Sequence, residues 1–99
     1  MESSPRSRAL NLPPLADANP DAIEVLRVWA APDSPHQVIL RTTCQDPGAW
    51  GLLLVDLARH VARAYAKEGQ DLNATLARIR LLFDAEWDHA TDTPERLTP

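Results

Sequence analysis

The sequence predicts an α+β fold: an antiparallel β-hairpin followed by two antiparallel helices, in ββαα order, completed by dimerisation. Three observations predict it. Two short runs of β-favouring residues, 23–30 and 37–43, flank the turn-forming stretch Ala31-Pro32-Asp33-Ser34-Pro35. Two longer segments, 47–68 and 72–90, repeat apolar residues at helical spacing between start and stop signals. Finally, the strands are apolar on both faces and the first helix is apolar over more than half its circumference, more than one hairpin and one helix can cover for each other.

The first 20 residues carry four of the nine prolines and no apolar period, so they read as a tail. Leu10, Leu12 and Leu15 are its anchoring candidates. Residues 1 to about 9 and 95–99 are expected to be mobile. A single domain is expected over 21–92, with a C-terminal tail over 93–99.

In the first strand Leu26, Val28 and Ala30 share one face; Ile23, Val25 and Trp29 share the other, with Arg27 among them. In the second strand Val38, Leu40 and Thr42 alternate with Gln37, Ile39, Arg41 and Thr43. A short link between two such runs implies an antiparallel pairing. Asp46-Pro47-Gly48 opens the first helix: Asp46 can cap it, and Pro47 suits a position whose N–H would be orphaned. Gly69 supplies the left-handed stop. On this helix Trp50, Leu53, Leu54, Leu57, Val61 and Tyr65 form a large-residue arc, expected to meet the hairpin. Gly51, Ala58 and Ala62 lie further round, where small side chains admit a second helix. Asp71 caps that helix, and Leu72, Leu76, Ile79, Phe83, Trp87 and Ala90 form its stripe. The link Gly69-Gln70-Asp71 is short enough to make the helices antiparallel neighbours.

Composition excludes several roles. No apolar run approaches the ~18 residues of a membrane span, and no secretory signal is read at the N-terminus. The net charge of −4 argues against nucleic acid as a partner. The single Cys44 excludes an internal disulfide and fits a reducing compartment, hence a cytoplasmic protein. Arg59, Arg63, Lys67, Arg78 and Arg80 make a basic middle that an acidic C-terminal stretch follows. Their expected role is charge pairing on solvated helix faces.

The candidate sites are sparse. Glu86-Trp87-Asp88-His89 contains the Glu-x-x-His spacing of helical di-metal centres, and Asp56 and His60 stand at i and i+4. These four, Asp56, His60, Glu86 and His89, are the metal-ligand candidates. Antiparallel packing argues against them: His60 falls about 9 Å along the axis from the level of Glu86, so no metal or other cofactor is expected. Glu86 projects into the stripe of the second helix. It is expected to be buried there and paired with Arg27 or Arg41, the Trp50 indole N–H being another candidate, because a buried unpaired carboxylate is costly. Cys44 lies near a helix start but has no base within reach, and reads as a small, half-buried hydrophobe. No phosphate loop, CxxC, HExxH or GxSxG occurs.

The stretch Ala22-Ile-Glu-Val-Leu-Arg-Val-Trp29, with Asp46-Pro-Gly-Ala-Trp-Gly51, Asp56-Leu-Ala-Arg-His60, Tyr65 and Glu86-Trp87, resembles a family of small bacterial proteins known only as a domain of unknown function. The resemblance covers about residues 10–97. It implies a small cytoplasmic bacterial protein of ββαα order and carries no activity and no site residues. The expected role is a non-enzymatic, dimeric protein-interaction domain with a second copy, and a further protein, as partners. The alternative is a small-ligand or metal-binding protein with a pocket between hairpin and helices, near Trp50, Glu86 and His89.

Overall fold

The computed structural model describes residues 4–89 and 95–97. In chain order the elements are α1 (Pro5–Arg8), α2 (Pro14–Ala18), β1 (Leu26–Trp29), β2 (Gln37–Leu40), α3 (Gly48–Lys67), α4 (Leu72–Asp88) and β3 (Glu95–Leu97). The hairpin followed by two long helices is the predicted α+β order.

β1 and β2 pair antiparallel in the register Leu26↔Leu40, Arg27↔Ile39, Val28↔Val38 and Trp29↔Gln37. The ladder continues one step outward, where the Arg41 N–H donates to the Val25 carbonyl at 3.0 Å. In the connecting turn Asp33 takes a left-handed backbone, φ 58°, a conformation that a short polar side chain tolerates. The register places Leu26, Val28, Val38 and Leu40 on one face, as the alternation predicts.

α3 begins one residue later than expected, with Pro47 as its cap rather than its first turn. Asp46 still serves the helix start: its Oδ1 accepts from the Gly48 N–H at 2.8 Å. Gly69 ends the helix at φ 98°, where any Cβ would be strained. Asp71 caps α4, its Oδ2 accepting from the Ala74 N–H at 2.8 Å. Asp71→Ala is therefore expected to lower stability by about 1 kcal/mol. A urea midpoint unchanged from the parent would show that the cap contributes nothing.

Two features depart from the sequence reading. First, the segment read as an N-terminal tail contains α1 and α2, each a single turn starting at a proline. Second, residues 95–97, read as part of a C-terminal tail, form β3, parallel to β2 in the register Gln37↔Glu95, Val38↔Arg96 and Ile39↔Leu97. The second edge of β2 offers unpaired backbone groups, and β3 occupies it by main-chain bonding that a three-residue Glu-Arg-Leu run does not advertise. The expected mobility of residues 1–3 and 98–99 lies outside the described residues, as do the boundary at 92 and the stripe position Ala90.

α4 lies against the small-residue side of α3. There Ala62 is 0 % exposed, and among the described residues it alone is fully buried. Ala58, Leu76 and Ile79 around it are half-buried. The predicted meeting of hairpin and α3 does not occur: among the described residues no strand comes within 8 Å of α3 or α4, Cα to Cα. Leu54, Leu57, Val61 and Tyr65 of the large-residue arc are exposed, while Trp50 and Leu53 are half-buried. The chain exposes 8954 Å², against about 5,600 Å² for a monomer of this mass packed around one core. Its radius of gyration is 15.8 Å, against about 13 Å for such a domain. Exposed apolar residues are found in the N-terminal segment, in β1 and along α3 and α4. No described helix is long and apolar enough to cross a membrane.

Candidate functional site

A groove of about 500 Å³ lies between α3 and α4. Helical periodicity builds it. Gly51, Leu54, Val55 and Ala58 recur at three- and four-residue steps on α3, so they line one wall. Leu76, Ile79, Phe83 and Trp87 do the same on α4. The helices touch through small residues near Ala62 and carry larger ones toward the start of α3 and the end of α4. The groove opens at that end because Gly51 and Ala58 leave space that α4 does not fill.

Phe83 and Trp87, one turn apart, stack with ring centroids 5.4 Å apart and an interplanar angle of 25°. Trp87 is nevertheless 73 % exposed, an unusual position for the largest apolar side chain of a helix stripe. Charged residues rim the groove. Arg80 Nε approaches both carboxylate oxygens of Asp84 at 3.0 and 2.9 Å, and Arg59 stands on the α3 side. A solvated i,i+4 pair of this kind contributes only a few tenths of a kcal/mol. The floor is apolar and the rim charged, which suits an apolar segment with polar flanks.

The sequence-predicted site residues do not converge on this groove. Trp50 is half-buried in the first turn of α3. Asp56 and His60 are exposed on α3, and His89, the residue that ends α4, is exposed as well. None of these lines the groove, and neither does Glu86. Among the described residues no three of His, Cys, Asp and Glu stand close enough to hold a metal ion. Cys44 is a free thiol and is exposed, not half-buried, because residues 41–44 leave the sheet before α3 begins.

Glu86 corrects a specific expectation. It is exposed rather than buried, and the two arginines proposed for it turn elsewhere. Arg27 Nη2 pairs with Glu24 Oε1 at 2.7 Å, and Arg41 Nε donates to the Glu24 carbonyl at 3.1 Å. The helical projection was sound, but the sheet meant to cover that end of the stripe lies elsewhere. Glu86→Ala is accordingly expected to change stability by only a few tenths of a kcal/mol, and a loss near 3 kcal/mol in urea would restore the buried pair.

The groove itself was half legible. Its α4 wall is the predicted stripe, read there as core. The distinguishing signal was the crowding of Phe83 and Trp87 at the end of a stripe that faces glycine and alanine on the neighbouring helix.

A protein-family profile matches residues 9–91, that of a domain of unknown function (DUF5076). A solved structure described as "a putative pyruvate dehydrogenase from the photosynthetic bacterium Rhodopseudomonas palustrus CGA009" is similar at 42 % identity, over 91 % of this chain and 95 % of that one, with a TM-score of 0.70. No curated protein matches the chain.

Proposed function

The chain belongs to this DUF5076 family of unknown function, and from that premise and the geometry above we propose that it is a non-enzymatic domain that works as a symmetric homodimer and acts through protein contacts. The observation that carries the reading is the uncovered large-residue arc of α3. Leu57, Val61 and Tyr65 are exposed along a side of this 20-residue helix that does not line the α4 groove, and exposed Leu54 joins that side to the groove. An arc this wide is the signature of a helix buried on two sides, and one chain buries only one of them. A second copy supplies the missing surface by two-fold symmetry, at no cost in new sequence.

The dehydrogenase description of the similar structure supports no activity here. The groove floor is apolar, and the described residues bring no acid, base and nucleophile together. The lone cysteine supports a cytoplasmic, reducing setting, and the bacterial source of the similar structure supports a bacterial one.

Light scattering behind a sizing column tests the dimer. At a chain concentration of about 100 µM, well above a typical dimer Kd, the expected mass is twice the 11.0 kDa of the chain. A mass of 11.0 kDa at that concentration overturns the proposal.

A further inference from the structure

We propose that the N-terminal arm of one copy, residues 9–18, docks through Leu10, Leu12 and Leu15 into the α3–α4 groove of its partner. The inference rests on the dimer reading and adds the segment and the surface that join the copies.

The arm is the most conspicuous unpartnered apolar element of the chain. Leu10, Leu12 and Leu15 are 96 %, 68 % and 61 % exposed, and neither α1 nor α2 touches another element among the described residues. Single exposed leucines are ordinary, but three within six residues are not. The family match starts at residue 9, so the leucines lie inside the shared domain, while residues 1–8 fall outside it. A similarity spanning 91 % of the chain also takes in Leu12 and Leu15 wherever it begins. A segment shared as part of a domain yet left with its leucines largely exposed needs a surface to lie on.

The arm is shaped for a groove. Leu10 and Leu12, at i and i+2, fall on the same side of an extended chain. Pro13 is extended, with φ −73° and ψ 159°, and Pro14 starts the single turn that carries Leu15. Two prolines hold this path before binding and so reduce the entropy lost on docking. The charges also agree. Asp17 and Asp21 follow the leucines; on the groove rim Arg80 is paired with Asp84, which leaves Arg59, with no ion pair among the described residues, as the cation that faces them.

The partner copy is the occupant because the arm does not lie in its own groove. Among the described residues α2 is clear of α3 and α4, and Leu10, Leu12 and Leu15 stay exposed within one chain. Exchanging arms between two-fold-related copies covers both sets of leucines and both grooves together. Exposed Trp87 and Phe83 then become the floor on which leucines pack.

The test uses the full chain with Cys44→Ser. One copy, unlabelled, carries a spin label at Asn11→Cys, on the side of the extended arm away from Leu10 and Leu12; the other is ¹⁵N-labelled with no cysteine. The two are mixed and allowed to exchange. Paramagnetic broadening of the Gly51, Ala58 and Ile79 amides of the ¹⁵N copy is the expected result. A dimeric chain without that broadening overturns the arm proposal and leaves the dimer standing. Broadening confined to a copy carrying both labels assigns the groove to its own arm and overturns the exchange. A monomeric mass removes the dimer, and the inference with it. Independently, combining Leu10→Ser, Leu12→Ser and Leu15→Ser is expected to raise the dimer Kd on the order of 10⁴-fold, at roughly 1 kcal/mol for every leucine of the two arms; a parent-like Kd contradicts the docking.

Discussion

Val61→Asp is expected to split the dimer into monomers. Val61 stands at the centre of the uncovered arc of α3, with Leu57 and Tyr65 one turn away on either side and Leu54 two turns away. In a single chain the side chain is 43 % exposed, so a carboxylate there can remain hydrated and the α3–α4 contact is untouched. In a symmetric dimer the same carboxylate enters an apolar seam, and the two-fold axis brings its copy toward it with the same charge. Burying an unpaired charge costs about 3 kcal/mol or more, which weakens association at least about 100-fold. The predicted readout is a mass of 11.0 kDa where the parent gives twice that. The unfolding midpoint of the variant should be lower than the parent's and nearly independent of concentration, since only a dimer gains stability by mass action. Equal masses for Val61→Asp and the parent would place the dimer seam elsewhere or remove it.

Ala62→Asp should act on the fold itself. Ala62 is 0 % exposed and sits where α3 and α4 touch. Alanine suits the position on grounds of space, because none of its surface is left open to a larger side chain. A carboxylate must then either stay charged without a partner or push the helices apart, losing the contact that makes them a pair. We expect a loss on the order of 3 kcal/mol, a large share of the stability of so small a domain. Circular dichroism during urea unfolding measures it. Comparison with Val61→Asp is informative because the residues are adjacent: one should lose the fold, the other the partner. A tolerated Ala62→Asp would mean that the two helices do not depend on this contact.

Local chemistry wrote much of the fold into the sequence. The helix bounds came within two residues of those observed, because Asp71 and Gly69 act through bonds and backbone angles fixed by their immediate neighbours. The side of α3 that meets α4 was legible too, since only small side chains permit so close an approach. β3 was not legible. A strand of three residues is held by the edge it finds, and Glu95-Arg96-Leu97 carries no period of its own. Glu86 was misplaced for a related reason. Projection assigns a residue to a face of its helix, but whether that face is covered depends on another element, and the sheet does not cover it.

By itself, then, the amino-acid order determined what each segment is: two strands, two capped helices, an arc too wide for one partner and three leucines ahead of the first strand. These follow from interactions within a few residues along the chain. Only the tertiary structure decided where those faces meet. It turned the end of the α4 stripe into a groove, put the carboxylate of Glu86 in solvent and set the sheet apart from the helices. Those outcomes depend on contacts between segments distant in sequence, and on the apolar surface that a chain of 99 residues leaves uncovered.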